Sequence, residues 1–367
     1  MAKISLKVNR KLAKHSLPRS RELIAPSLLA LLFLFAIFFR PRGVDIVPYS
    51  HDLLSSIAKT GSGRALLALG AGLVLASGGV DLSVVGILAI SGIFFAWAAN
   101  LAFANASSTG NILFAALIFC LLLGGSLGAL NGYAISRWKA PPLILTWAVG
   151  AILMIFSSIA ALGLPRLAPI QNYQPVVSGI RLPSKIALPF IQTQFLYGLI
   201  FFLLVTLPIV FRAFNLGRYS SAIGANRISA KYAGIRIRRT IILTYAISGV
   251  FASAAGIWFA IIERKALITD HVGLELSAIA IAVLGGTAMS GGYFSIYPIV
   301  SAAFLWSLLY TFLQNPQIFP EGILPALLRN RFTEASFALI LIFVVIWAGR
   351  RLSGDTIPIN VNSRIQD

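Results

Sequence analysis

Long apolar runs separated by short polar or basic segments dominate the chain. A membrane-spanning helix needs about 20 apolar residues, and most of the runs are near that length. The pattern predicts an all-α, polytopic membrane protein of about ten transmembrane helices, some of them broken. The runs cover residues 23–39, a stretch ending near Ser77, a stretch starting at Leu82, and residues 111–136, 143–162, 195–214, 241–262, 274–289, 295–314 and 335–348.

Composition supports membrane integration and disfavours several other classes. Hydrophobic residues make up 58% of the chain and charged residues 11%, whereas soluble proteins are about half apolar and a quarter charged. The net charge of +19 comes from basic residues that flank the apolar runs, so we predict no nucleic-acid partner. The single cysteine, Cys120, excludes an internal disulfide, and the three histidines are far apart, which indicates no metal site.

The distribution of basic residues predicts the orientation. Residues 1–22 are basic and precede the first run, which lacks a small-residue cleavage site, so we interpret them as a cytoplasmic N-terminus before a retained helix. The transmembrane domain then covers residues 23–350, and residues 351–367 form a cytoplasmic tail. If the chain starts in the cytoplasm and crosses the membrane at each apolar run, the inside segments carry about twice as many Lys and Arg residues as the outside ones. This agrees with the positive-inside rule.

The stretch SGGVDLS at residues 77–83 contains an isolated acid. Between Arg64 and Arg137 no other residue is charged. A charge at the centre of a membrane helix costs roughly 2.5–3.5 kcal/mol on insertion scales, so Asp81 needs compensation or water. The preceding glycine pair permits a break in the helix. Asp81 therefore either caps the next helix or lies on a substrate path, and the two roles can coexist.

Two further patterns concern the packing of the helices. The stretch SGGYFS at residues 290–295 echoes residues 77–83, as in transporters built from repeated halves with a binding site between them. Small residues also recur at four-residue spacing, which predicts close helix–helix contacts in lipid. These small residues are Gly124, Gly128 and Gly132, and the pairs Gly249/Ser253 and Ala252/Gly256.

The basic segment 215–240 is the most informative polar part of the chain. We expect Gly224 and Gly234 to interrupt it, with a short amphipathic helix over residues 226–233 between them. That helix would carry Ile228 and Tyr232 on one face and Arg227 and Lys231 on another. The segment either anchors the topology at lipid headgroups or docks a cytoplasmic partner.

No stretch of the sequence supports an active site of its own. The segment Gly61-Ser62-Gly63-Arg64 has neither the spacing nor the lysine of a phosphate-binding loop. No nucleophile–base set or pair of intramembrane carboxylates is present. The chain is therefore predicted not to be an enzyme, and a nucleotide-driven motor would lie on another chain.

Four ordered stretches together resemble the permease subunits of bacterial ABC importers, in the branch for ribose, galactose-type sugars and autoinducer-2. The chain departs from that family at Val85 (usually Gly), at Ser277 (usually Asp) and at the bulky pair Tyr293-Phe294. The matching stretches are GGVDLSV at 78–84, NG at 131–132 with PPLILT at 141–146, AIGAN at 222–226 with GI at 234–235, and ELSAIA at 275–280 with GG at 291–292.

The resemblance implies a sugar permease in the bacterial inner membrane with both termini in the cytoplasm. It would pair with a second permease, identical or related, and with an extracytoplasmic substrate-binding protein. ATP and Mg would bind a cytoplasmic, often tandem, ATPase subunit, and this chain would hold no cofactor and no metal. The residues expected on the substrate path are Gly78, Gly79, Asp81, Ser83, Asn131, Thr146, Gly291 and Gly292, and those expected to couple to the ATPase are Gly224, Asn226, Arg227, Lys231 and Gly234.

Two alternatives remain open. Permeases for nucleosides or branched-chain amino acids belong to the same broader superfamily, so the cargo could differ. An ion-coupled secondary transporter needs no ATPase, but it usually carries more intramembrane ionisable groups than a lone Asp81.

Overall fold

The computed structural model describes residues 46–104, 109–167, 175–176, 179–182, 215–267 and 271–314. The chain divides into two compact units, residues 1–311 and 312–367, and the following paragraphs concern the first. The predicted spans 23–39, 195–214 and 335–348 lie outside the described residues, as do the predicted cytoplasmic segments 1–22 and 351–367.

Helices account for nearly all of the regular structure in the described ranges, which confirms the predicted fold class. Four of them are long and apolar enough to cross a membrane. The elements in chain order are α1 (Ile46–Ala76), α2 (Val84–Ala104), α3 (Thr109–Trp138), α4 (Pro142–Leu167), β1 (Pro175–Val176), β2 (Gly179–Arg181), α5 (Leu216–Ala225), α6 (Arg227–Tyr232), α7 (Ile237–Glu263), β3 (Lys265–Leu267), α8 (Leu274–Leu284) and α9 (Ile296–Gln314).

A small antiparallel sheet of order β1-β2-β3 was not predicted. Its strands of two or three residues are too short to show a period-two pattern in the sequence. Strand β3 follows α7 directly, through Arg264 in a left-handed conformation (φ 58°). The strands β1 and β2 lie between α4 and α5 in the chain, and Ile180 of β2 is fully buried against the helices.

Helix α7 is the centre of the described unit and packs against α1, α2 and α3. Its closest partner is α3, because glycines allow the two backbones to touch. A Cβ atom added at Gly128 would lie 2.9 Å from the Tyr245 carbonyl carbon and 3.1 Å from the Ala246 Cα. Gly124 packs in the same way on Gly249 and Ser253. The predicted role of these small residues in helix packing is confirmed.

Replacing Gly128 with leucine should therefore destabilise the protein. Leucine favours a helix more than glycine does, so a fall in the free energy of unfolding would come from forcing α3 away from α7. Overpacking of this kind costs on the order of 3 kcal/mol. The matched control is Gly110→Leu on the same helix, where a Cβ atom meets nothing within 4 Å. Thermal unfolding in mild detergent should show a clear drop for Gly128→Leu only. Equal midpoints for the two variants would contradict the packing.

Helices α3 and α4 expose most of their apolar surface, whereas α2 and α7 are largely buried. The exposed side chains are large and apolar, for example Phe114, Leu122, Ile144 and Trp147. A continuous apolar face of this kind on a helix long enough to span suits a lipid environment. The unit is therefore a polytopic membrane bundle with α7 inside and α3 and α4 at its edge.

Candidate functional site

Asp81 lies between α1 and α2 and is almost completely buried (2% exposed). Its Oδ1 atom accepts hydrogen bonds from the backbone N–H (3.0 Å) and the hydroxyl (2.6 Å) of Ser83. Its Oδ2 atom accepts a bond from the hydroxyl of Ser248 on α7 (2.9 Å). The carboxylate is thus compensated by three donors, one of which belongs to a different helix, as the sequence argument about an isolated acid required.

The bond to Ser83 places Asp81 at the start of α2. The Ser83 carbonyl accepts the first bond of that helix, from the N–H of Ile87 (3.0 Å), so Ser83 occupies the capping position and Asp81 fixes it from two residues earlier. A negative charge at this end interacts favourably with the helix dipole. Asp81 therefore stabilises a helix start and, through Ser248, also ties that start to α7.

Two more helices reach the same segment. Asn131 on α3 donates its side-chain N–H to the Ser83 hydroxyl (2.8 Å). On α4, the Thr146 hydroxyl oxygen accepts from the Leu82 N–H (3.0 Å) and donates to the Pro142 carbonyl (2.8 Å). The structure thus brings together four of the predicted path residues: Asp81, Ser83, Asn131 and Thr146.

These four side chains are all buried and bonded within the protein. In this arrangement they brace the segment between α1 and α2 against three helices. Their contact with a substrate stays a prediction.

The predicted path glycines lie beside this network, where two breaks in the helices meet. Gly78, Gly291 and Gly292 all have positive φ angles (79°, 86° and 98°), which side chains rarely adopt. The Gly292 N–H donates to the Ala76 carbonyl at the end of α1 (3.0 Å). A Cβ atom on Gly291 would lie 3.1 Å from the Gly78 nitrogen. The two echoing stretches of the sequence are thus in contact, while the internal repeat itself stays a prediction.

Gly79 allows a different close approach. A Cβ atom there would lie 2.5 Å from the Tyr245 hydroxyl, which donates to the Val80 carbonyl (3.1 Å). Tyr245 is itself fully buried on α7. Gly79 therefore provides the space through which α7 bonds to the backbone of the break.

Segment 215–240 contains two short helices, α5 and α6, and the first residues of α7. The break between α5 and α6 falls at Asn226, in an extended conformation, and Gly224 lies in the last turn of α5 just before it. Gly224 also packs directly on the Ala76 carbonyl, and a Cβ atom there would lie 2.8 Å from the Gly292 nitrogen. The glycine is thus used for close approach of α5 to both helix breaks and not for a turn.

The predicted short helix is present as α6. Asn226 caps it by accepting the Ser229 N–H (2.9 Å), and Gly234 (φ 80°) ends it. Ile228 and Tyr232 are 69% and 88% exposed, while Arg227 and Lys231 are also exposed. The helix thus presents two exposed apolar side chains one turn apart, beside exposed basic ones.

Sequence reasoning missed the contribution of α7. The hydroxyl of Thr244 forms a buried hydrogen bond with that of Ser220 on α5 (2.9 Å), and Ser248 bonds Asp81. The four-residue spacing of Thr244 and Ser248 was a usable signal. Hydroxyl residues in membrane helices commonly bond their own backbone, however, so the spacing alone does not reveal a partner. Within the described ranges, no group of three His, Cys, Asp or Glu residues could hold a metal ion.

The comparison with known proteins decides the family. Residues 53–348 match the family described as the permease component of branched-chain amino acid transport systems. The chain belongs to this family. It is therefore a transport subunit and not an enzyme, and it is a multi-pass protein of the inner membrane.

Several curated permeases of Escherichia coli K12 are similar to the chain. It is 29% identical to a ribose import permease over 268 residues, 72% of this chain and 78% of that protein. It is 32% identical to a galactofuranose transporter permease over 277 residues, 74% and 76% of the two chains. It is 31% identical to a D-allose transport system permease over 252 residues, 67% and 71%. No solved structure matches the chain.

Proposed function

We propose that this chain is the permease subunit of an ATP-driven, binding-protein-dependent sugar importer. The observation that carries the proposal is the packing of α5 on both helix breaks, through Gly224, in a chain similar to ribose, galactofuranose and D-allose permeases. A helix that touches both breaks is placed to pass the movement of a partner to the membrane bundle. The partners would be a cytoplasmic ATPase, a second permease and an extracytoplasmic sugar-binding protein.

The orientation follows from the basic residues. With the N- and C-termini in the cytoplasm, the α5–α6 surface also faces the cytoplasm. Arg218 on α5 and Arg227 and Lys231 on α6 make it basic, and Arg236 and Arg238 follow at the start of α7. Residues 46–50 at the start of α1 then lie at the outer side. The ATPase would dock on α5 and α6 and the sugar-binding protein on the opposite side.

The chemistry of α6 favours a protein partner over lipid alone. Full burial of Ile228 and Tyr232 would stabilise a complex by about 1.5–3 kcal/mol for each side chain. Basic residues around an apolar centre suit a partner groove with an apolar floor and an acidic rim. The predicted coupling residues Asn226 and Gly234 would act by holding α6 in place, since they form its two ends.

Transport would then proceed by alternating access. ATP binding would draw the two ATPase domains together and move α5 and α6, and the segments joined to α5 would follow. Each state of the bundle has to be stabilised by contacts that the other lacks. The residues around Asp81, which brace one break against α3, α4 and α7, would form or lose such contacts. The substrate path would lie beside them, between this permease and the second one.

The cargo could also be a branched-chain amino acid, as the family description states, or a nucleoside. The similarity to the sugar permeases favours sugar over both. An ion-coupled carrier is disfavoured by family membership, since the family is described as a component of a transport system. The ligand retained by the partner binding protein distinguishes the cargoes.

Affinity purification from the native membrane tests the docking. We expect an ATPase to co-purify with the wild-type chain. The double variant Ile228→Ala/Tyr232→Ala should reduce its recovery at least about tenfold, because the loss of two apolar anchors exceeds the 1.4 kcal/mol of one decade in affinity.

The matched control for that experiment is Ser229→Ala. Ser229 lies on the same helix, is exposed, and keeps its backbone bond to Asn226. Recovery of the ATPase should stay at the wild-type level with this variant. If the double variant retained the ATPase as well, α6 would not be its docking surface. If the wild-type chain carried no ATPase under conditions that preserve a known importer, the proposed function would be wrong.

A further inference from the structure

Helix α7 bonds to α5 and to Asp81 through two hydroxyl residues one turn apart. The Thr244 hydroxyl and the Ser220 hydroxyl of α5 are 2.9 Å apart. The Ser248 hydroxyl donates to Asp81 Oδ2, also at 2.9 Å. All four residues are buried, with exposed fractions of 0–2%. The two bonds thus connect α5, which carries part of the proposed docking surface, to the acid that organises the break.

The bonds of these two hydroxyls run in a different direction from those of several other hydroxyls in the bundle. Ser62, Ser126 and Ser157 each donate to the carbonyl four residues earlier in their own helix, which satisfies the hydroxyl locally. The hydrogen bonds of Thr244 and Ser248 instead cross to other elements. Interhelical bonds of this kind contribute on average about 0.6 kcal/mol in membrane proteins, so their effect is on orientation more than on stability.

The segment of α7 between the two bonds is held rigidly. Tyr245 lies between Thr244 and Ser248, its backbone carbonyl touches Gly128 of α3, and its hydroxyl bonds Val80. One helical turn spans about 6 Å over four residues. A displacement of α5 at Ser220 would therefore be carried over one turn of a clamped helix to Asp81, without intervening flexible chain.

Helix α5 also reaches the break by a second route. Four residues after Ser220, Gly224 packs on the Ala76 carbonyl, where α1 ends. The segment 77–83 is thus held by α5 at one end through backbone contact, and at Asp81 through the side chains of α7. Movement of α5 would act on both ends of the segment together.

We propose that Thr244 and Ser248 are positioning residues that make the Asp81 segment follow the docking helix α5 during the transport cycle. The inference rests on the proposed function, since it needs an ATPase that moves α5. Loss of the Ser220–Thr244 bond would leave the bundle folded and the ATPase bound, while the segment would respond less to nucleotide.

The test uses the complex of the full chain with its co-purified ATPase. A reporter cysteine, Ser77→Cys, is placed in the half-buried first residue of the segment, in a Cys120→Ala background that leaves no other cysteine in this chain. Labelling is read from this chain alone after the subunits are separated. Its labelling rate with a charged maleimide is measured without nucleotide and after trapping with ATP and vanadate. We expect trapping to change the rate about fivefold, within the usual range of allosteric coupling, and Thr244→Val to bring the ratio of the two rates close to one.

Ser253→Ala is the matched control. Ser253 lies on the same helix and forms a buried hydroxyl bond of the same kind, to Ser91 on α2 (2.7 Å). It does not connect to α5, so its loss should leave the labelling ratio unchanged. Thr244→Ser keeps a hydroxyl at this position and should keep the wild-type ratio of labelling rates. Ser220→Ala removes the partner hydroxyl and should bring the ratio close to one, as Thr244→Val does.

The outcomes separate the inference from the proposed function. Suppose that Thr244→Val and Ser220→Ala both bind an active ATPase and both keep the full change in labelling rate on trapping. That result would overturn the inference and leave the proposed function intact. Loss of the response in Ser253→Ala as well would also overturn it, because any buried hydroxyl would then suffice. If no ATPase bound the wild-type chain, the proposed function and the inference would both fall.

Discussion

Gly224→Ala is expected to reduce sugar uptake by more than about tenfold while the chain remains in the membrane. The added methyl group would collide with the Ala76 carbonyl and lie 2.8 Å from the Gly292 nitrogen. Both are backbone atoms at helix breaks, so neither can rotate away as a side chain does. Helix α5 would have to lift off the breaks. A tenfold loss corresponds to about 1.4 kcal/mol, which lies within the usual 1–3 kcal/mol cost of overpacking.

The measurement compares uptake with ATP hydrolysis in the purified complex. We expect hydrolysis to continue while uptake falls, because α6 still presents its docking surface. Gly163→Ala on α4 is the control, since a Cβ atom there meets nothing within 4 Å and alanine favours the helix. Normal uptake in Gly224→Ala, at wild-type expression, would contradict the role assigned to the α5 contact.

Asp81→Ala is expected to destabilise the protein strongly. The substitution removes the acceptor of three buried hydrogen bonds, leaving the N–H of Ser83 without its partner at the start of α2. An unsatisfied buried donor costs about 1–3 kcal/mol, and the ties to Ser248 and to the Ser83 hydroxyl are lost as well. The free energy of unfolding should fall by about 3 kcal/mol, seen as a marked drop of the thermal midpoint in detergent.

Asp81→Asn distinguishes the effect of the hydrogen bonds of Asp81 from the effect of its charge. Its side-chain oxygen can still accept from Ser83, and its amide N–H can donate to the Ser248 hydroxyl. We expect the stability of this variant to stay well above that of Asp81→Ala. If transport and assembly by Asp81→Asn were both intact, the charge of Asp81 would have no essential role. A wild-type midpoint for Asp81→Ala would contradict the bracing network itself.

The general architecture could be predicted from the sequence because lipid imposes a strong pattern. Apolar runs of near-spanning length, glycines at four-residue spacing and an isolated acid each have few physical interpretations in a membrane. The close packing at Gly128 and the compensated burial of Asp81 follow from these rules. The capped helix α6 was also predictable, since Asn226 and Gly234 are typical helix-end residues.

The features that the sequence did not reveal depend on contacts between distant segments. Gly224 was interpreted only as an interruption. The helix does end at the next residue, but the contact of Gly224 with Ala76 and Gly292 was not predicted, because a glycine that serves close packing and one that ends a helix look the same in sequence. The bond between Ser220 and Thr244 joins α5 to α7, with α6 between them in the chain. Serine and threonine are common in any membrane helix, so their presence does not indicate a partner. The small sheet pairs β2 with β3, which are more than 80 residues apart in the chain.

Reconstitution in proteoliposomes tests the central claim most directly. The chain is incorporated with its co-purified ATPase, and the partner binding protein is added outside with the labelled sugar that it retains. The account predicts sugar uptake that requires ATP, the ATPase and the binding protein together. Uptake by this chain alone, driven by an ion gradient without ATP, would contradict it and would identify an ion-coupled carrier instead.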